Sequence, residues 1–236
     1  MNVLIDDILG GIDPLGNPYL TALADGSLSK SDFVETQIQF FYAVVFFSRP
    51  MSAVAARIPN ARLRRDILRN VWEEHGEGDE DETHGSTFLS FLERLDGVSH
   101  DAVRRRKLWP EVRTFNTALT GACVMDEYLV GVGVLGIIER MFAGISAAIG
   151  NAVVARGWIP RDRMIHYSLH AELDIRHADD FFAVLRPAWD KDDEDRYYIE
   201  QGLRMGAYAF DQLYRGLYAA RDRRWTRRHI VPNART

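Results

Sequence analysis

The sequence predicts an all-α protein, a bundle of seven or eight helices around one core. Three observations carry this. Apolar residues recur at helical spacing along nearly the whole chain, β-branched alternation of the strand kind is scarce, and no repeat, low-complexity tract or linker divides the 236 residues. At this length, with 47% hydrophobic residues, a single domain over 1–236 can bury a sizeable core.

The elements follow in order. After Pro14 and Pro18, a short helix from Tyr19 to Ala24 should end at Asp25 and Gly26. Ser29 or Ser31 then caps a long apolar helix through Val34, Ile38, Phe41 and Val45, which Pro50 should kink or break. Asn60 caps the next, whose inward stripe is Leu63, Ile67 and Val71; it stops at Gly76 and Gly78. A further helix, near Asp79 to Leu95, carries Phe88, Leu89, Phe91 and Leu92, and Ser99 caps a short basic piece that ends before Pro110. From Glu111 to about Arg156 the pattern is increasingly apolar all round, the mark of a helix or helix pair at the centre of a bundle. Pro160 resets the chain. The helix that follows contains HAELDIRH and should end near Arg186, before Pro187; Asp192 starts a last one through Tyr198, Leu203, Tyr208 and Leu217.

Composition excludes several classes. A formal charge of -5 gives no electrostatic reason to bind nucleic acid. Cys123 is the only cysteine, so neither an intrachain disulfide nor a cysteine-based zinc site is expected, which fits a reducing, cytoplasmic setting. The first residues, MNVLIDDILGG, carry acids where a secretory leader has a basic region. The longest charge-free runs, 36–48 and 141–155, are too short to cross a bilayer, and the expectation is a soluble protein with no membrane partner.

The chemistry is concentrated in three places. In HAELDIRH, His170, Asp174 and His177 stand at i, i+4 and i+7, within roughly 60° of one another on one helical face and stacked over about 10 Å. Two imidazoles and a carboxylate suit iron, manganese or zinc, and three ligands on one helix leave positions open for others. Glu139 sits inside the apolar run GVGVLGIIERMFAGISAAIG, where a carboxylate is costly unless something satisfies it. A metal is one answer and an arginine the other, but neighbouring Arg140 points about 100° away around the helix. The third place is NVWEEHGEGDEDETHGSTFLSFL, in which a helix end and a glycine turn can aim Glu74 or Glu77 together with His84 at one point. The inventory is Glu74 (or Glu77), His84, Glu139, His170, Asp174 and His177, enough for two divalent irons with open positions for dioxygen.

This ordered set, NVWEEHGEGD with a histidine after it, a lone buried glutamate, then HxxxDxxH, resembles the haem-oxygenase-like diiron oxidases and oxygenases over nearly the whole chain, from LADGSLSKSDF to the last helix. The resemblance implies a haem-oxygenase-like helical bundle, often a homodimer. It implies two Fe(II) ions as cofactor, with O2 as co-substrate. It also implies a peroxo-diiron(III) species that oxidises a small amino-acid-like or carboxylic-acid substrate, by N-oxygenation or by C–H or C–C cleavage, commonly in natural-product biosynthesis. Glu139 would be the bridging carboxylate and, with His170, Asp174 and His177, would form the catalytic group. Glu74 matches the family's aromatic-acid-Glu run better, while Glu77 keeps a spacing seen in other members.

The chain departs from some relatives. Members with an extra carboxylate ligand would need it near Phe47 or Ser48, where none occurs. The branch that consumes its own tyrosine and lysine to make an aminobenzoate fits poorly, because no lysine lies between Lys107 and Lys191.

Two other readings compete. A thiaminase-II-like hydrolase shares this bundle and would use Cys123 as nucleophile; a single cysteine in an apolar helix is more often inert core. A metal-free oxidase or binding protein would leave the six residues as a polar network. True haem oxygenase is disfavoured, since the first histidine is His75. For the small-molecule substrate, Arg163, Tyr167, Arg204 and Tyr208 are the candidate contacts, arginine being suited to hold a carboxylate bidentately.

Overall fold

Short polar side chains set where most helices start. In the computed structural model, which describes residues 1–227, the Ser29, Asn60, Ser99 and Asp192 side chains accept backbone N–H groups from Asp32, Arg62, Ala102 and Asp195, so Ser29 rather than Ser31 is the cap. The helices are α1 (Asn2–Ile12), α2 (Pro18–Asp25), α3 (Lys30–Arg57), α4 (Ala61–Glu74), α5 (His84–Asp96), α6 (His100–Arg104), α7 (Pro110–Thr120), α8 (Tyr128–Ala155), α9 (His166–Trp189) and α10 (Asp193–Ala219). Among the described residues there is no strand, only an isolated bridge between Arg106 and Thr226.

Four boundaries differ from expectation. Helix α1 was not anticipated; it is held by Ile5 and Ile8, which are buried on the side of α10. Helix α3 runs through Pro50 without a break. A mid-helix proline costs about 3 kcal/mol, but Met51 and Val54 beside it are fully buried, and such burial contributes about 1.5–3 kcal/mol per side chain. Pro187 likewise lies inside α9, which runs two residues further to Trp189; having no N–H, it leaves one carbonyl, that of Ala183, without its usual i→i−4 donor. Helix α5 starts at His84 instead of Asp79, because Thr83 caps it by accepting Ser86 N–H at 3.1 Å. The long apolar stretch from Glu111 is indeed two helices, α7 and α8, joined through a π-turn at Gly121–Met125.

Helix α8 is the axis of the bundle and packs chiefly on α9 and α10. The close approach needs glycine: a Cβ on Gly206 of α10 would meet the Val134 carbonyl oxygen of α8 at 2.5 Å, and one on Gly136 would meet Phe181 Cβ of α9 at 2.8 Å. Both α3 and α8 are long and apolar enough to cross a bilayer, yet both pack into this bundle and α8 is largely buried. The packing brings the middle of α8, with Glu139, against the face of α9 that carries His177.

Candidate metal centre

Four helices deliver the polar side chains to one buried point. Helix α4 ends at Glu74, with the half-buried Glu73 beside it; Gly76 and Gly78, both at positive φ, then turn the chain so that His84 opens α5 facing back. Glu139 comes from α8, and His170, Asp174 and His177 from α9. Glu74, His84, Glu139, His170, Asp174 and His177 are all buried. Glu77 is exposed, so the turn directs Glu74, not Glu77, into the cluster.

The distances describe two neighbouring groupings. Glu74, Glu139 and His177 each offer a ligand atom within 4.8 Å of the others. His84 Nδ1 lies 2.6 Å from Glu74 Oε2, His170 Nδ1 lies 2.8 Å from Asp174 Oδ1, and the His84 and His170 rings are 4.2 Å apart between centroids. His177 Nδ1 is 3.7 Å from Glu139 Oε1, too far for a hydrogen bond. Its other nitrogen, Nε2, sits 2.7 Å from Glu73 Oε2, and Glu73 is in turn clamped by Arg176.

Buried atoms are left without partners here. Glu139 Oε1, His170 Nε2, Asp174 Oδ2 and His177 Nδ1 have no hydrogen-bond partner among the described residues, although an unmet buried polar group costs about 1–3 kcal/mol. Arg140 is exposed and offers Glu139 nothing. Orphaned lone pairs of carboxylate and imidazole, converging in a dry interior, are the donor set of a transition-metal site. The residues therefore fit a metal such as iron.

Electrostatics agree with that fit. Burial raises the Glu139 carboxyl above its usual range, against the pull of His177. Burial, with Glu139 and Glu74 nearby, raises Asp174 well above its ordinary value, while burial and the surrounding imidazoles depress His170. For His177, burial opposes charge but Glu139, Glu73 and Glu74 outweigh it, and its pKa rises to about 9. So many acids in so little water are balanced poorly by protons alone and well by divalent cations.

The remaining expected contacts do not meet at this point. The cavity beside the cluster is walled by Phe40, Ala43, Val44 and Phe47 of α3, Phe115 of α7, Ile138 and Phe142 of α8, and Phe210 of α10. Arg163, Arg204 and Tyr208 are exposed, with Arg204 paired to Glu200. They lie outside the cavity because their helical positions face solvent. Tyr167 is fully buried, but its hydroxyl donates to Gln37, which donates to Tyr19; it belongs to a structural network. Cys123 is buried against Gly131, away from the cavity, and burial pushes its thiol up to about 12.

Sequence reasoning missed two members. Glu73 was visible in WEEHG but was not set on His177. His166 is fully buried and lines the cavity; it stands one helical repeat before His170, so extending the α9 stripe back by four residues would have found it.

Known proteins point the same way. The solved structure of a protein from Shewanella denitrificans with a heme oxygenase-like fold superposes with a TM-score of 0.73 at 15% identity, covering 94% of this chain and 90% of that one. A TenA homolog from Pseudomonas syringae pv. tomato gives 0.76 at 14% identity, covering 92% of each chain. Together they show the haem-oxygenase-like fold. A 4-aminobenzoate synthase from Nitrosomonas europaea is 23% identical over 192 residues, 77% of this chain and 76% of that protein. The sequence profile of the iron-containing redox enzymes matches residues 34–211, a span that holds every side chain of the buried cluster, and the chain belongs to that family.

Proposed function

We propose that this protein is a diiron oxidase or oxygenase that uses O2 to oxidise a small organic molecule. The observation that carries the proposal is the convergence of unpartnered Glu139, Asp174, His170 and His177 atoms beside Glu74 and His84. Three carboxylates and three imidazoles would hold two irons, which when bound supply dioxygen activation. The chain's own contribution is positional. Glu139, in the middle of α8 and close to Glu74 of α4 and His177 of α9, would be among the residues that hold the metals; Glu73 fixes the ring of His177; the phenylalanine walls exclude water from the reacting atoms.

The walls also bear on the substrate. Among the described residues no arginine or lysine lines the cavity, so the portion of substrate beside the metals is apolar, and a carboxylate anchored by Arg163 or Arg204 is not supported. Among the described residues no tyrosine lines it either, which counts against the self-consuming aminobenzoate route. The burial of Cys123 counts against the hydrolase reading.

The test is an anaerobic Fe(II) titration followed by mixing with O2. The expected result is saturation near two irons per chain and a transient visible absorption after mixing. Saturation at one iron, or none, overturns the proposal.

A further inference from the structure

One more buried imidazole faces this cavity. His166 is fully buried, its ring centroid is 4.3 Å from that of His170 and 6.4 Å from that of His84, and its Nε2 has no hydrogen-bond partner among the described residues. Its Nδ1 is 3.1 Å from Thr87 Oγ1. The Thr87 hydroxyl is also 3.2 Å from the His84 carbonyl oxygen, which can only accept and so takes its proton. With that proton engaged, Oγ1 accepts from the imidazole, so Nδ1 carries the hydrogen and Nε2 is a bare lone pair. A ring that gives one N–H to a fixed acceptor and leaves the other nitrogen free is the arrangement found for metal-ligating histidines.

We propose that His166 supplies a further metal-binding nitrogen on the His84 and His170 side of the site, with Thr87 fixing its tautomer. The assignment rests on the metal-centre reading above. It makes that side rich in imidazole: His166, His170 and Asp174 stand at i, i+4 and i+8 of α9, within roughly 80° of one another, and His84 faces them from α5. The wall from α3, Phe40, Ala43, Val44 and Phe47, offers no donor.

A simple packing role predicts something different. His166 meets Phe88 edge-on at 4.7 Å, a contact that phenylalanine would preserve. The experiment is a titration of wild type, His166→Phe, His166→Gln and Thr87→Val with Co(II), read by visible absorption, by stoichiometry and by chelator competition. The wild type should take two Co(II). His166→Phe and His166→Gln should weaken one of them at least tenfold and change its absorption band, and Thr87→Val, which removes only the orienting partner, should weaken the same one by a smaller factor. His166→Ala should recover the wild-type band when imidazole is added. A folded His166→Phe, or a folded His166→Gln if the first does not fold, that keeps the wild-type band and affinity overturns the role of His166 alone. A folded wild type that binds no Co(II) overturns the metal centre and this inference together.

Discussion

Glu74 Oε2 meets His84 Nδ1 at 2.6 Å across the turn between α4 and α5, while Glu77, between them in sequence, faces solvent. The turn dictates this. Gly76, Glu77 and Gly78 all have positive φ, and a Cβ on Gly76 would lie 2.8 Å from the backbone of Glu82 and Thr83. Glu77 is at the outside of that curve. Glu74→Gln should therefore lower iron affinity by tenfold or more, and Glu77→Gln should leave it unchanged, as measured by metal content after dialysis against a weak chelator. The reverse pattern would mean that the turn rearranges when metal binds.

Glu73 acts through another residue. Its Oε2 is 2.7 Å from His177 Nε2, and Arg176 holds the carboxylate from the other side. Removing such an orienting partner typically costs 10- to 100-fold in metal affinity or activity. Glu73→Ala should fall in that range, with Glu73→Gln recovering part of it because an amide oxygen still accepts from the ring. Equal losses in the two variants would assign Glu73 to charge balance instead of orientation.

Metal binding should release protons. Without metal, the raised Glu139 and Asp174 carboxyls retain protons toward neutral pH, and His177 stays protonated until about pH 9. A cation must displace them, so affinity should fall steadily as pH drops from about 9 to 6. Titration in weak buffer with an indicator dye would report the released protons. A pH-independent affinity over that range would contradict the protonation pattern.

Much of this site was legible because one helix carries half of it. His170, Asp174 and His177 repeat at the α-helical period, and Glu139 stood out as an acid among aliphatics in α8. Helical spacing alone leaves Glu74 and Glu77 equal, and only the resemblance favours Glu74, since the choice depends on the left-handed backbone at Glu77 itself. Glu73 and Glu74 are neighbours, about 100° apart on the helix, and pattern reading assigns one of them to the surface. In the structure both reach inward, Glu74 to His84 and Glu73 to His177. Pro50 and Pro187 misled for a general reason: local preference marks helix ends, and burial of Met51 and Val54 overrode it in α3.

Cys123 separates the two enzyme classes that share this fold. It lies in the π-turn after α7, buried, with the thiol pushed up to about 12 and outside the cavity. Cys123→Ala should keep full iron loading and O2 reactivity; at most it loses a small buried side chain, with stability read by thermal melting. Loss of activity with iron loading intact would revive the nucleophile reading.

Access to the metals should run past α3. Of the apolar wall, Val44, Phe47 and Phe142 are only partly buried, whereas Phe40, Ala43, Phe115, Ile138 and Phe210 are buried. The partly buried trio marks the mouth. The cavity volume is about 40 Å³, well below the ~300–1,000 Å³ of pockets that hold small organic ligands, so an organic substrate enters only if a wall side chain moves. Phe47 is the larger of the two partly buried wall residues on α3. Phe47→Ala should leave metal content unchanged and raise the rate at which azide binds the iron-loaded protein several-fold, measured by stopped-flow absorbance; Phe47→Trp should lower it. If neither variant alters that rate while Phe142→Ala does, the mouth opens along α8 and the aromatic side chain on α3 is only packing.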